Sequence, residues 1–447
     1  MNIIPAFVRS RIAHRPNLLK IVDNIGWLFF DKILRMGVGL LVGVWVARYL
    51  GPEQFGMLNF ATAFTSMFAA IAALGLPSIV VRDIVRDPDT KASTLGAAAM
   101  LQLIGGFIAY GLCMVAIFIL RPEDALTKTL VAILGAVMLF KALDIAVYWF
   151  ESQVQSKYTV WVQNGVFLVF AIIKVGLILI NASLISFAWA TLSESILVGF
   201  VLLVVMNRHG FPIRHLSLFW QRVKSLLTDS WPLLLSSIAV MVYMKIDQIM
   251  LGQMLGDEAV GIYSVAVRIS EVWYILPGVI LSTIVPSMLH IKNQNEVLYY
   301  ERLQSLFDLM TVISVSIAIL FTFMSTSIIE LLFGEKYVEA SLILKIHVWG
   351  GVFVFLGLVS GHWLVAENIQ NIILNRSIVG VIINVISNYF LIPEFGMVGC
   401  AYATLISQAM SSLVFDVFIP LTRAIFWMKL RSFNFLRLIN GFWMGKI

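Results

Sequence analysis

A chain of 447 residues that is 60% hydrophobic and only 13% charged, with a mean hydropathy of +0.93, lies far outside soluble composition, in which roughly a quarter of residues carry charge. It reads as an all-α polytopic membrane protein, and no soluble catalytic domain is visible in it. The formal net charge of +6 therefore asks which side of a membrane the basic residues occupy, not which nucleic acid they bind.

Residues 1–23 form a basic N-terminal segment carrying Arg9, Arg11, Arg15 and Lys20. The apolar run behind it is too long for a signal-peptide core and no small-residue cleavage site follows, so the segment is expected to stay attached. Apolar runs then recur near 24–48, 56–81, 94–120, 127–150, 158–180, 184–206, 230–254, 259–285, 308–333, 341–366, 371–392 and 396–420. Each is long enough, at about 1.5 Å per residue, to cross most or all of a ~30 Å hydrocarbon layer. The pattern predicts about twelve transmembrane helices in two six-helix lobes, 24–206 and 230–420. A basic cytoplasmic linker, 207–229, joins them, and an amphipathic cytoplasmic tail, 421–447, follows. The later part of the linker, SLFWQRVKSLL, has the helical spacing of apolar and basic residues expected of a helix lying along a membrane surface. Cys113 and Cys400 both fall inside apolar runs and read as small buried hydrophobes.

The run Asn24 to Ala61 organises the rest. Asp31, Lys32 and Arg35 lie inside its first span, where a charge costs at least ~2.5 kcal/mol and persists only against a partner, a wet cavity or a ligand. Asp31, Arg35, Gly39 and Gly43 recur every fourth residue and share one helix stripe. The end of this run has a twin. Tyr49 to Ala61, YLGPEQFGMLNFA, aligns without a gap on Met254 to Ala266, MLGDEAVGIYSVA, sharing Leu50/Leu255, Gly51/Gly256, Glu53/Glu258, Gly56/Gly261 and Ala61/Ala266. Both copies sit in the turn between the first and second helix of a half. This predicts two related halves in parallel orientation, a plan used by transporters that rock one half against the other.

Basic residues in the connections divide twenty against four when the N-terminus is placed inside, with only Arg48, Arg121, Lys128 and Lys336 on the opposite side. That bias puts both termini in the cytoplasm. The remaining bases, Lys32, Arg35, Lys174, Lys245, Arg268, Lys345 and Arg376, fall within predicted spans.

No Walker loop, paired CxxC, HExxH or GxSxG is present, so the chain is not expected to be an enzyme. His347 and His362, ~22 Å apart along one helix, cannot share a metal; no metal or cofactor is expected. The intramembrane charges carry the functional expectation. Arg35, Lys245 and Arg268, with Lys32 and Lys174, present positive charge to an anionic head group in a cavity between the halves. Asp31, Asp247 and Glu271 balance that charge or take up a coupling ion. The competing structural reading makes Asp31 with Arg35, and Arg268 with Glu271, self-satisfied pairs. It also lets Lys32, Lys174, Lys345 and Arg376 reach a membrane interface along their stems. Asn59, Glu194, Asn384, Asn388 and Asp416 then act as hydrogen bonders between helices.

At ARYLGPEQFGMLNFA (Ala47 to Ala61), LGDEAVGIYSVAVRISE (Leu255 to Glu271) and FGMVGCAYAT (Phe395 to Thr404), the chain resembles the Wzx-type polysaccharide flippases. That family belongs to the MOP superfamily, with the lipid II flippases and the MATE drug exporters. The resemblance implies an inner-membrane protein that moves an undecaprenyl-pyrophosphate-linked oligosaccharide from the cytoplasmic to the periplasmic leaflet by alternating access. The product would feed O-antigen, capsule or exopolysaccharide assembly. Membrane lipid, a polysaccharide polymerase and a chain-length regulator are the partners it brings into view. Basic side chains at membrane depth suit a pyrophosphate, whereas exporters of cationic drugs favour acidic cavities. A MATE-like ion-coupled exporter is the first alternative and a membrane-embedded polymerase the second, although the large extracytoplasmic loop that a polymerase needs for sugar chemistry is missing.

Overall fold

The computed structural model describes residues 16–292 and 294–434, and its elements are all helical. Arg9, Arg11, Arg15, Arg437 and Lys446, counted in the charge bias above, lie outside the described residues.

Ten helices among the described residues are long and apolar enough to cross a membrane, against twelve apolar runs in the sequence. The difference has a local backbone cause. Helix α1 (Pro16–Ala73) carries the first two runs without a break in its assignment, and α13 (Asn371–Ala409) joins the eleventh run to the twelfth. Inside α1 the chain leaves helical geometry at Gly51, with φ 72° and ψ 172°, and inside α13 at Gly396, with φ 60° and ψ −140°. Pro52 then takes the first position of the outgoing arm of α1, where its missing N–H would have had no partner.

The chain divides into two units. One comprises residues up to Leu50 together with Met57–Met241, and the other Gly51–Gly56 together with Val242 onward. The division falls inside the seventh span rather than before it.

In the first unit, α2 (Leu76–Arg86), α3 (Lys91–Leu120), α4 (Ala125–Gly135), a 3₁₀ stretch (Ala136–Asp144), α5 (Ile145–Ser152), α6 (Ser156–Leu179) and α7 (Leu184–His209) follow α1. Leu76, Ile79, Val80 and Ile84 line one face of α2 at helical spacing and bury it against Leu95, Leu101, Trp149, Phe150 and Leu202. At the start of α4, the Asp124 carboxylate accepts from the Thr127 amide at 2.9 Å, satisfying one of the helix's orphan donors. The later part of the linker is not a separate element. From Trp220 onward it is the opening of α8 (Trp220–Met254), continuous with the seventh span. Val223 and Leu226 are buried in the first unit's core, and Arg222 donates to Asp83 at 2.8 Å and to Thr94 at 3.0 Å. Leu218, Phe219, Trp220 and Leu227 stay exposed on the other side of the stretch.

In the second unit, α9 (Asp257–Glu271) runs through a short 3₁₀ turn into α10 (Ile275–Lys292), followed by α11 (Glu296–Phe333), α12 (Ala340–Ala366) and α13. A π-helical turn at Met410–Val414 leads to α14 (Phe415–Phe418), and the tail helix α15 (Arg423–Ser432) closes the described chain. The twin turns meet here. Gly256 has φ 90° and ψ 179°, nearly the conformation of its counterpart Gly51 and one that L side chains rarely adopt.

Arg376 does not extend to an interface. It is only 7% exposed, donates to Asp416 and gives a second hydrogen bond to the Ser360 hydroxyl at 2.9 Å. Lys429 of α15, fully buried, donates to the other Asp416 oxygen and to Ser360, both at 2.9 Å. Two cations thus share one carboxylate, and the tail helix is fastened to α12, α13 and α14 by groups that water cannot reach.

Candidate functional site

The charged side chains expected to act together fall in both units. In the first unit, Asp31, Lys32 and Arg35 lie in the N-terminal half of α1, and Arg35 reaches α6. Its Nε donates to Asp31 at 2.8 Å, one helical turn back, and an Nη donates to Gln163 at 3.5 Å. Its guanidinium carbon lies 5.5 Å from the Phe167 ring centroid, a cation–π distance. Trp27 and Trp161 pack at 5.8 Å beside them. The Asp31–Arg35 pair is therefore formed, yet Arg35 stays 35% exposed and keeps donors free for an anion. Lys32 is exposed on the adjacent face. Lys174 of α6 is not free in this sense: it pairs with Glu194 of α7 at 2.9 Å.

In the second unit, Asp247 of α8 is 7% exposed and is held by neutral donors alone. The Thr404 hydroxyl lies 2.6 Å from one carboxylate oxygen, Asn388 Nδ2 donates to the other at 2.7 Å, and the Tyr263 hydroxyl donates at 3.2 Å. Asn384 accepts from Asn388 at 3.0 Å and donates to Ser407 at 3.4 Å, extending the network along both arms of α13. Lys245, two residues from Asp247, does not join it, because neighbours at that spacing point to different faces of a helix. A carboxylate buried among neutral donors keeps its charge only at a cost that a cation or a proton removes.

Asp247, Glu271, Tyr243, Tyr274, His347 and Gln408 line a cavity in this unit with about 50 Å³ of room for water-sized molecules. Glu271 accepts no hydrogen bond and makes no ion pair among the described residues. His347 has its Nδ1 2.6 Å from the Ser270 hydroxyl and stands edge-on to Tyr263. Arg268, one turn from Glu271, does not pair with it. Its guanidinium carbon lies 5.6 Å from the Phe55 ring centroid, and no carboxylate partner stands against it among the described residues. Among the described residues, no group of three His, Cys, Asp or Glu could hold a metal ion.

Sequence reasoning picked out every one of these charges but missed what surrounds Asp247. Tyr263 and Thr404 carry no charge, and only their positions inside the quoted turn and late-helix segments could have drawn attention to them. Asn384 and Asn388 were expected to bond between helices; they do so to the carboxylate and to Ser407.

The profile of the family described as "Polysaccharide biosynthesis protein" matches residues 21–292, and that of MatE matches 232–390. The chain is 21% identical over 400 residues to the capsular polysaccharide biosynthesis protein CapF of Staphylococcus aureus, covering 89% of this chain and 98% of CapF. It is 25% identical over 394 residues to the probable low-salt glycan biosynthesis flippase Agl15 of Haloferax volcanii, covering 87% of this chain and 81% of Agl15. Among solved structures, an inward-facing MATE family multidrug transporter of the MOP superfamily superimposes with a TM-score of 0.72 at 15% identity, covering 89% and 94% of the two chains. The lipid II flippase MurJ, in an inward closed conformation, superimposes with 0.71 at 18%, covering 94% and 92%. These likenesses place the fold with the MATE and MurJ transporters.

Proposed function

Since the chain belongs to the polysaccharide biosynthesis protein family, we propose that it is a flippase for lipid-linked glycans, carrying an undecaprenyl-pyrophosphate-linked oligosaccharide from the cytoplasmic to the periplasmic leaflet. The flippase names of related proteins and the MurJ likeness support the class of activity. The observation that carries the substrate is Arg268: a guanidinium kept in a membrane-spanning helix without a carboxylate partner among the described residues. An unpaired cation at that depth needs an anion, and a pyrophosphate offers several acceptor oxygens to its donor fork. Arg35, held by Asp31 and Gln163 but with donors to spare, is the equivalent group in the first unit. Lys245 and Lys32 add charge to the same ends, while Lys174 contributes only if Glu194 releases it.

Asp247 is the coupling position. Its neutral cage offers oxygen ligands from Thr404, Tyr263 and Asn384 to a small cation, or a proton can take the cation's place. Glu271 faces the same cavity, and the base whose charge acts on it is Lys245. The charge bias of the connections orients the chain in an inner membrane with both termini cytoplasmic.

One observation favours a second reading. The cavity holding Asp247 and Glu271 is acidic, which suits a cationic cargo of the kind MATE-like exporters would carry. A strain deleted for this chain separates the two. The flippase reading expects lipid-linked repeat units to accumulate on the inner leaflet and surface polymer to disappear. Export predicts unchanged polymer with increased sensitivity to cationic drugs, and that result would overturn the flippase reading.

A further inference from the structure

The stretch that opens α8 has one face in the core of the first unit and one face in the open. Trp220, Lys224 and Leu227, four and then three residues apart, share a stripe of the helix, beside the stripe of Val223 and Leu226 that enters the core. Trp220 is 70% exposed, and Leu218 and Phe219 just before it are 56% and 62% exposed. Three consecutive large apolar side chains left in the open mark an interaction surface.

The backbone sets the depth of this patch. The Ser217 N–H donates to the Ala92 carbonyl at 3.3 Å, and a Cβ on Gly96 would sit 2.2 Å from the Ser217 carbonyl oxygen. Ser217 therefore lies directly on the first turns of α3, where the third apolar run begins. Leu218, Phe219 and Trp220 follow from that level, the edge of the hydrocarbon, where tryptophan gathers because its ring is apolar and its N–H polar.

The surrounding charges choose among lipids. Asp83 and Asp229 are taken up by Arg222 and Arg82. In the α2–α3 connection and the linker, Arg86, Lys91, Arg208, Arg214 and Lys224 are exposed and make no ion pair among the described residues, against two exposed acids, Asp87 and Asp89. Lys91 adjoins Ala92, on which Ser217 is fastened, and Lys224 lies one turn from Trp220. A base at an anionic membrane surface gains about 1 kcal/mol.

We propose that this patch docks into the headgroup layer of the bilayer and selects anionic phospholipids, with Phe219 and Trp220 entering beside the acyl chains and Lys91, Arg214 and Lys224 facing phosphates. Arg222 and Ser217 pin the same stretch to α2 and α3, and its helix continues into the seventh span, so the lipid surface holds the start of that span. The inference does not depend on the flippase reading. A cytoplasmic protein covering the patch is the outcome that opposes it.

The test uses the purified full-length chain carrying Phe219→Cys, labelled with bimane and placed in phosphatidylcholine nanodiscs; Cys113 and Cys400 are buried and stay unlabelled. Brominated phosphatidylglycerol, added as a minor component, is expected to quench the bimane about threefold more than the same fraction of brominated phosphatidylcholine. Lys91→Gln, Arg214→Gln and Lys224→Gln together are expected to bring the two lipids level while quenching by brominated phosphatidylcholine stays as it was. Leu218→Cys gives a second labelling position if Phe219→Cys fails to fold. Quenching by aqueous iodide with none from brominated lipid would overturn the proposal, since the patch would then stand in water and be open to a protein. Equal quenching by the two lipids, or a phosphatidylglycerol preference that survives the triple change, would overturn the anionic selection.

Discussion

Gly56 and Gly261 occupy equivalent positions in the two copies of one turn, and in the folded chain their backbones lie against each other. A Cβ on Gly56 would sit 1.7 Å from the Asp257 carbonyl oxygen, and one on Gly261 would sit 2.0 Å from the Pro52 carbonyl oxygen. Pro52 and Asp257 are themselves equivalent in the repeat, so the contact is reciprocal: each copy lays its first-turn carbonyl on the other's glycine.

No side-chain rotation relieves an overlap with backbone. Gly56→Ala and Gly261→Ala are therefore each expected to destabilise the chain by ~3 kcal/mol or more, read as reduced membrane accumulation and a lower detergent-solubilised melting temperature. Gly111→Ala is the comparison, since a Cβ there meets nothing within 4 Å. That change should be neutral or slightly stabilising.

Arg268 can be replaced without leaving a carboxylate stranded, because Glu271 does not pair with it. Arg268→Ala is expected to leave the chain in the membrane and lower affinity for the lipid-linked glycan by ~10- to 100-fold, from the loss of a charged hydrogen bond worth about 1.5–3 kcal/mol. Surface polymer measures the outcome. Arg35→Ala is a harsher change, since it abandons Asp31, which accepts its Nε at 2.8 Å. The double change Asp31→Asn with Arg35→Gln should restore accumulation without restoring polymer. Normal polymer from both Arg268→Ala and this double variant would remove phosphate binding from these residues.

Asp247→Asn keeps the size of the side chain and removes its charge. Wild-type transport into membrane vesicles is expected to depend on a sodium or proton gradient, and the variant is expected to lose that dependence while accumulating normally. Gradient-independent transport by both proteins would deny Asp247 a coupling role.

Lys429 makes a pH prediction outside the spans. Burial pushes its pKa down to about 8 despite the neighbouring Asp416 carboxylate, from an ordinary value of 10.5. Between those two values the unfolded chain holds more protons than the folded one, so stability rises with pH across that window, by at most ~1.4 kcal/mol per unit. Below about 8 the buried ammonium is charged in both states and its cost is fully present. Melting temperatures of wild type and Lys429→Met from pH 7.5 to 10 should show an upward slope only in the wild type. Asp416→Ala, which strands Arg376 and Lys429 together, should cost ~3–5 kcal/mol at pH 7.

The sequence by itself determined the helical membrane class, the duplicated turn and the identity of the charges within the spans. Apolar run length and the cost of a charge in hydrocarbon are local properties, readable one segment at a time. Only the tertiary structure decided which charges are free. Arg35 and Arg268 look alike in the chain, each one turn from an acid, yet Arg35 is paired and Arg268 is not, because pairing depends on rotamers and on what the neighbouring helices offer. Asn388 and Thr404, which complete the neutral cage of Asp247, are more than a hundred positions away in the chain, and the same holds for Asp83, the partner that fastens Arg222 and the opening of α8 to the first unit. Those choices follow from side chains competing for partners in three dimensions, where sequence separation sets no order.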